Sequence, residues 1–403
     1  MADFYQTRVI TTLHRLGAPK LDKIEAELEL FSTVRPVALV LPALYSDVMG
    51  TAMEGIIEEL KGARFVREIV LALGPASDEE FRGVKEYLSV LPQEVKVIHT
   101  SGRRIKELFR TLDKAGLSAG KDGKGRSAWL SYGYIIASGK CDVIALHDCD
   151  IVSYSREMLA RLCYPIMNPG LDFVFCKGYY ARVTDKLHGR VTRLFVSPIV
   201  RALDRIIGGH PFLGYLDNFR YPLAGEFCMI TELARVNRIP WDWGLEVGVL
   251  AEVFRNYSSR RVCQVDIAEI YEHKHQPLSA EDPTTGLTRM AIDIGKSLFR
   301  TLASEGIVFS DGFFKTLIAT YLKIAEDTLA KYEADAAING LYFDRHEEAM
   351  AVDAFTKGIA TAGKIIMRDP LGAPLIPNWN RIISAIPGIL ERLRAAVEED
   401  NGM

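Results

Sequence analysis

The chain has 403 residues, of which 48% are hydrophobic and 25% are charged, and its formal net charge is −3. This length allows one large hydrophobic core with a smaller attached unit. The net charge excludes a global positive field that would attract nucleic acid or an anionic membrane. We therefore expect a small-molecule partner, with no nucleic acid and no membrane. The six cysteines form no C-x-x-C pair, the first residues do not resemble a signal peptide, and the longest apolar run is too short to cross a membrane, so we predict a cytoplasmic protein.

Strands and helices alternate through the first part of the chain. Short apolar runs predict strands at 36–45, 65–73, 95–99 and 143–146, and apolar periodicity predicts helices at 52–60, 79–91 and after 126. This alternation predicts an α/β, Rossmann-like fold with a mostly parallel sheet and helices on both faces. Ligands gather at the carboxyl ends of the strands in such sheets, so functional residues are expected just after strands.

The last third of the chain has a different character. Apolar residues recur at helical spacing over 290–302, 313–332 and 349–366, and a final helix is predicted from about Trp379. We interpret 281–403 as a helical C-terminal region attached to a domain at 1–280, whose first 35 residues form an extension. The apolar stripes suit either packing on that domain or a dimer interface, and we predict a homodimer.

The sharpest motif is the strand end Leu146-His147-Asp148-Cys149-Asp150. Alternate side chains of an extended segment share a face, so both aspartates can reach one divalent cation, directly or through a diphosphate. Mg²⁺ and Mn²⁺ prefer such oxygen ligands. Two aspartates one residue apart also occur at solvated strand ends, so the motif is a hypothesis.

Two further segments carry groups that suit a phosphate or a metal. Gly123-Lys124-Gly125-Arg126 combines glycines, which allow close approach to phosphates, with a lysine charge, although a flexible solvated loop is the competing interpretation. In Tyr271-Glu272-His273-Lys274-His275 one imidazole can complete the coordination begun by Asp150. Alternating histidines on an exposed strand are the alternative.

The remaining candidates lie between these segments. Gly189-Arg190-Val191-Thr192 offers a glycine, a guanidinium fork and a hydroxyl for an anionic group, or else forms a surface turn before a helix over 192–204. Glu226 and Glu246 stand among small or apolar residues. Each is either a buried acid with a structural role or an acid positioned for function. The rings of Trp241 and Trp243 either contact the face of a bound sugar or pack in the hydrophobic core.

Taken in order, the segments L-P-A-L, G-K-G, D-C-D, G-R-V-T, P-L-A-G-E, G-L-E-V-G and H-K-H-Q-P-L resemble the retaining glucosyl-3-phosphoglycerate synthases and the related mannosyl-3-phosphoglycerate synthases. These families share the GT-A fold, and the resemblance covers about residues 36–280. It implies a metal-dependent glycosyltransferase with Mg²⁺ or Mn²⁺. Glucose would pass from a nucleoside-diphosphate glucose, with UDP-glucose favoured, to the 2-hydroxyl of 3-phosphoglycerate with retention, giving glucosyl-3-phosphoglycerate on the way to glucosylglycerate.

The resemblance also implies residue roles. The donor-binding residues are Pro42, Leu44, Asp47, Gly74, Lys124, Asp148 and Gly225. The metal ligands are Asp150 and His273. The acceptor-binding residues are Gly189, Arg190, Val191, Thr192 and His275. The residues at the reacting centre are Thr192, Leu223 through its backbone, and Glu246; no side chain stands out as a nucleophile, and the family implies attack of the acceptor on the same face as the departing phosphate.

Departures from the family pattern leave alternatives open. Tyr271 and His275 stand where an arginine and an asparagine are expected to face the acceptor, so free glycerate is an alternative acceptor, and GDP-mannose is an alternative donor. A nucleotidyltransferase would carry a glycine-rich, arginine-bearing loop after the first strand, where this chain has Leu41-Pro42-Ala43-Leu44-Tyr45. A non-catalytic sugar-nucleotide-binding protein is the third class, because fold alone does not establish catalysis.

Overall fold

The computed structural model describes residues 6, 9–17, 20–272, 286–370 and 375–402. Within them eight strands form one sheet in the order β1-β8-β6-β7-β5-β2-β3-β4, and all neighbours are parallel except those of β7. The strands are β1 Thr11–Leu13, β2 Val37–Ala43, β3 Val66–Leu73, β4 Glu94–His99, β5 Val143–Leu146, β6 Phe175–Tyr180, β7 Phe227–Ile230 and β8 Val262–Ala268. The predicted α/β fold with a mostly parallel sheet is confirmed.

Helices cover both faces of this sheet and make up the C-terminal region. They are α1 Leu21–Ser32, α2 Tyr45–Val48, α3 Thr51–Lys61, α4 Asp78–Leu88, α5 Arg103–Lys114, α6 Lys124–Ser138, α7 Arg156–Met167, α8 Ser197–Ile207, α9 Pro211–Leu216, α10 Thr231–Val236, α11 Leu245–Asn256, α12 Gly286–Ser304, α13 Asp311–Ile338, α14 Arg345–Arg368, α15 Trp379–Ala385 and α16 Ile389–Gly402. A π-helical turn, Val191–Val196, leads into α8, and a 3-10 turn spans Ser259–Arg261. No helix in the described ranges combines the length and apolar character needed to span a bilayer.

The continuous apolar run of β2 is explained by helices on both sides of it. Ala38 and Val40 belong to one hydrophobic core, whereas Leu39 and Leu41 belong to the core on the opposite face. Successive side chains of a strand point to opposite faces, so a strand buried on both faces has no polar alternation. This is why β2 could be predicted from its composition alone.

The C-terminal helices share the first of these cores with the sheet. The Trp379 ring of α15 stacks on Trp129 of α6 at 4.2 Å between ring centroids, and its Nε1 donates a hydrogen bond to the Trp129 carbonyl at 3.1 Å. On α13 the Tyr321 hydroxyl donates to the Leu194 carbonyl at 2.7 Å. The division at 280/281 stays a prediction, and the described part of the C-terminal region packs closely against the preceding chain.

One edge of the sheet collects the loops that carry the candidate motifs. Strands β2, β3, β5 and β6 all end there because they run parallel, and β7 begins there because it runs antiparallel. The segments at this edge therefore include 42–47, 74–75, 147–150, 181–192 and 223–225, which cover strand ends, loops and helix starts. Residues from all of these segments line one cavity.

Candidate active site

A cavity of about 860 Å³ opens at this edge of the sheet. It is lined by all the described residues to which the family resemblance assigns a role, namely Pro42, Leu44, Asp47, Gly74, Lys124, Asp148, Asp150, Gly189, Arg190, Val191, Thr192, Leu223, Gly225 and Glu246. The predicted metal ligand His273 and acceptor residue His275 lie outside the described residues. The roles of all these residues stay predictions, but tertiary structure brings the fourteen described ones to a single site.

Lys124 lies between two carboxylates on the cavity wall. It is the first residue of α6, and its Nζ lies 2.6 Å from Asp148 Oδ1 and 2.9 Å from Glu246 Oε1. Burial opposes the lysine charge, but these two acids hold the pKa of Lys124 well above its ordinary value. Lys124 is therefore an ordered cation that holds Glu246 in place, and not part of a solvated loop.

The glycines beside Lys124 are explained by packing within the protein. A Cβ on Gly123 would lie 2.4 Å from the Trp241 carbonyl oxygen, and one on Gly125 would lie 2.0 Å from that of Pro240. The segment at 240–241 thus lies directly on the backbone at the start of α6, where any larger residue would collide. Close approach to a phosphate, the role predicted for these glycines beside the alternative of a flexible loop, stays a prediction.

Asp148 and Asp150 form an acidic pair that fits a divalent cation. Burial, followed by the neighbouring Asp148, raises the pKa of Asp150 to about 7, and the charge of Lys124 opposes this shift. Gly225 allows this arrangement, since a Cβ there would lie 2.3 Å from Asp148 Oδ2. The described residues contain no cluster of three potential metal ligands, and the predicted ligand His273 lies outside them. Carboxylate oxygens are the ligands that Mg²⁺ and Mn²⁺ prefer.

Glu226 is buried behind the cavity and is held by two tyrosines. Its Oε2 accepts a hydrogen bond from the Tyr180 hydroxyl at 2.8 Å, and its Oε1 accepts one from the Tyr271 hydroxyl at 2.7 Å. The two rings stack with centroids 3.6 Å apart, and burial raises the pKa of Glu226. Tyr271 is thus an internal support. Tyr271, which stands where the family is expected to carry an arginine facing the acceptor, is buried in this stack.

A buried lysine supports the loop at 223–225. Lys177 lies on β6 with its side chain enclosed, and its Nζ donates a hydrogen bond to the Ala224 carbonyl at 2.5 Å. Burial lowers the pKa of Lys177 to about 8. This contact fixes the backbone between Leu223 and Gly225, both of which line the cavity.

The opposite wall of the cavity carries the G-R-V-T segment. Gly189 has φ +75°, a conformation that favours glycine, and Arg190 precedes the π-helical turn. Arg190 Nε lies 2.7 Å from Glu348 Oε1 and its Nη2 lies 2.8 Å from Glu347 Oε2 on α14. Thr192 is buried, and its hydroxyl has no hydrogen-bond partner among the described residues, so it is available to a ligand in the cavity.

Comparison with known proteins identifies the family. The chain is 52% identical over 401 residues to the glucosyl-3-phosphoglycerate synthase of Persephonella marina, covering 100% of this chain and 99% of the relative. It is 38% identical to the glucosyl-3-phosphoglycerate synthase of Methanococcoides burtonii, covering 99% and 98% of the two chains. This chain belongs to the glucosyl-3-phosphoglycerate synthase family. No protein-family model matches it.

Solved structures confirm the GT-A fold expected for this family. The glucosyl-3-phosphoglycerate synthase from Mycobacterium tuberculosis, in complex with Mn²⁺, UDP-glucose and phosphoglyceric acid, has a TM-score of 0.53 and 21% identity, covering 75% of this chain and 90% of that one. The mannosyl-3-phosphoglycerate synthase from Rubrobacter xylanophilus has a TM-score of 0.55 and 21% identity, covering 75% and 83%. At this identity the likeness shows the fold alone.

Several residues of the cavity in this glucosyl-3-phosphoglycerate synthase family member were not predicted. They are Arg182 and Tyr221 near the G-R-V-T segment, and Leu287, Arg289, Met290, Asp293 and Ile294 on α12. Arg182 comes two residues after β6, so the rule that functional residues follow strands was sufficient to find it. The α12 residues had no such signal, because the contact of that helix with the cavity is tertiary. Trp241 and Trp243 do line the cavity.

Proposed function

We propose that this protein transfers glucose from UDP-glucose to 3-phosphoglycerate with a divalent metal ion and forms glucosyl-3-phosphoglycerate. The observation that carries the proposal is the 52% identity over the whole chain to a glucosyl-3-phosphoglycerate synthase. The convergence of the described motif residues on one cavity supports it. The acceptor hydroxyl is proposed to be the 2-hydroxyl, with retention of the anomeric configuration.

The donor end of the cavity is proposed to hold the nucleotide and the metal. Within the acidic pair, Asp150 would hold the metal with His273 and Asp148 would contact the donor. The bound metal would neutralise negative charge on the departing diphosphate. Lys124 contributes a fixed positive charge beside this pair. Further proposed donor contacts among the residues that line the cavity are Pro42, Leu44, Asp47, Gly74 and Gly225.

The reacting centre is proposed to lie between Thr192, Leu223 and Glu246. The Thr192 hydroxyl is unpartnered among the described residues and can hydrogen-bond the acceptor, while Lys124 orients the Glu246 carboxylate towards the donor sugar. Glu226 is unsuited to act as a nucleophile, because it is fully buried, does not line the cavity and is held by two buried tyrosines. Same-face attack of the acceptor hydroxyl, which the family resemblance implies, is the course that we propose.

The test is to measure transfer from UDP-glucose, ADP-glucose, GDP-glucose and GDP-mannose to 3-phosphoglycerate or glycerate, with Mg²⁺, Mn²⁺ or a chelator. We expect metal-dependent transfer with UDP-glucose and 3-phosphoglycerate as the best pair. Asp150→Asn should lower kcat/KM about 100-fold or more, because the carboxylate that faces the metal loses its charge. Asp113→Asn on the exposed face of α5 is the matched control and should leave activity unchanged.

Other outcomes separate the alternatives. Preferred transfer of mannose, or preferred use of free glycerate, would replace the proposed substrates within the family. Full turnover by Asp150→Asn would exclude the proposed metal site, and no transfer with any pair would favour a non-catalytic sugar-nucleotide-binding protein. We also propose a cytoplasmic location, which is supported by six free, buried cysteines.

A further inference from the structure

We infer that Arg182 binds the phosphate group of the acceptor and sets the preference of this protein for a phosphorylated acceptor over the free acid. The inference rests on the proposed function and adds a residue that neither the motifs nor the family resemblance assigns. It is carried by the position of Arg182, by its hydrogen-bond partners, and by the ion pairs of neighbouring cations.

Arg182 lies beside the segment proposed to bind the acceptor. It follows β6 by two residues and lines the cavity together with Gly189 and Thr192. The His188 backbone N–H donates to the Arg182 carbonyl at 2.9 Å, and a Cβ on Gly189 would lie 3.9 Å from Arg182 Cδ. The Arg182 side chain is therefore held against Gly189 at the acceptor end of the cavity.

The guanidinium of Arg182 has no negative partner among the described residues. Its Nη1 donates a hydrogen bond to the Tyr221 hydroxyl at 3.0 Å, which is a neutral acceptor. Its Nε is buried without any hydrogen-bond partner in the described part of the chain. A partly buried cation pays a desolvation cost that a phenol offsets poorly, whereas an anion in the cavity would offset it well.

The other cations of the cavity differ from Arg182 in this respect. Lys124 is paired with Asp148 and Glu246. Arg190 is paired with Glu347 and Glu348, and Arg289 with Asp293. Lys186 also lines the cavity, but it is exposed, so solvent and salt screen its charge. Arg182 thus differs from these cations because it is partly buried and no acid among the described residues forms an ion pair with it.

The phosphate group of the acceptor can balance the positive charge of Arg182. A phosphate monoester carries between one and two negative charges at neutral pH and presents several oxygens to a planar guanidinium. Glycerate has the same hydroxyl and carboxylate but lacks the phosphate. A contact with Arg182 would therefore strengthen binding of 3-phosphoglycerate and leave binding of glycerate unaffected. The resulting difference in affinity between the two acceptors would make the protein specific for 3-phosphoglycerate.

The experiment compares Arg182→Gln with the unmodified full-length protein, using UDP-glucose and either 3-phosphoglycerate or glycerate. We expect KM for 3-phosphoglycerate to rise about 10- to 100-fold, as for a lost charge-assisted hydrogen bond. The KM for UDP-glucose and the kcat/KM with glycerate should stay within about twofold of the unmodified values. Arg182→Lys keeps the charge without the fork and should recover part of the loss. Arg110→Gln, an exposed arginine on α5, controls for net charge.

Direct binding separates this inference from the proposed function. Calorimetric titration of 3-phosphoglycerate into the unmodified protein and into Arg182→Gln, each with UDP and Mg²⁺, should show the same 10- to 100-fold weakening. If the unmodified protein binds 3-phosphoglycerate through Arg182 but transfers no glucose, the proposed function fails and the phosphate contact stands. If glucose is transferred and Arg182→Gln binds 3-phosphoglycerate as tightly as the unmodified protein, or loses both acceptors equally, the inference is overturned.

Discussion

Glu68 is a buried acid in the middle of β3, far along the strand from the loops of the cavity. It is fully enclosed, and neither carboxylate oxygen has a hydrogen bond of normal geometry within the described residues. Burial, followed by the charge of Glu94, raises the pKa of Glu68 to about 7. The folded state therefore binds this proton more tightly than the unfolded state, so the favourable contribution exists at low pH and is lost as pH rises through about 7.

Replacement of Glu68 by glutamine should stabilise the protein at high pH. We expect Glu68→Gln to increase the free energy of unfolding by about 1–3 kcal/mol at pH 8, where the buried charge is removed, and to change it little at pH 5. Chemical denaturation at the two pH values measures this difference. Glu107→Gln, on an exposed position of α5, should have little effect at either pH. An equal change at both pH values for Glu68→Gln would argue against the raised pKa.

At the scale of elements, the contact between α6 and α15 depends on one glycine. A Cβ on Gly133 would lie 2.0 Å from a ring carbon of Trp379, which is fully buried and stacked on Trp129. The ring is rigid and is also fixed by its hydrogen bond to the Trp129 carbonyl, so it has little freedom to move aside. The absence of a side chain at Gly133 lets α15 dock against α6.

We predict that Gly133→Ala destabilises the protein by about 1–3 kcal/mol, because a collision in the core outweighs the better helix propensity of alanine. Gly55→Ala in α3 is the matched control, since its Cβ would meet open space. That variant should be neutral or up to about 1 kcal/mol more stable. Thermal or denaturant unfolding of both variants makes the comparison. Equal stabilisation by both changes would show that α15 does not pack on Gly133 in solution.

At the scale of the whole molecule, the described C-terminal helices and the sheet share one hydrophobic core. The four tryptophans lie near their contact: Trp129 and Trp379 stack on each other, and Trp241 and Trp243 line the cavity with residues of α12. Fluorescence therefore reports on the contact between the two regions, whereas far-UV circular dichroism reports on all helices.

Because of this shared core, we predict that denaturant-induced unfolding followed by fluorescence and by circular dichroism gives coincident midpoints. Two separate transitions would instead support independent units on either side of residue 280. The control is the same measurement at several protein concentrations, because dissociation of an oligomer would make the midpoint depend on concentration. The homodimer stays a prediction.

Part of the fold was predictable because its signals are local, but no strand was predicted at the positions of β1, β6, β7 or β8. The apolar runs of β2, β3 and β5 and the periodicity of the C-terminal helices led to elements close to those observed. Helix α5 was missed, although Ile105, Leu108 and Leu112 are buried at helical spacing along it. The order of the short motifs was sufficient to predict the family, which comparison with full-length relatives confirmed.

The sequence alone was enough to predict strands β2 to β5, the family and the chemical groups of the candidate site, because strand burial and short motifs depend on neighbouring residues. The pairing of those groups depends on the tertiary fold. It placed Lys124 between Asp148 and Glu246, and it left Arg182 beside a phenol. These contacts join residues that lie far apart in sequence, 122 positions for Lys124 and Glu246 and 39 for Arg182 and Tyr221. Local spacing along the chain carries no record of such contacts, although they set the charge and packing of each buried group.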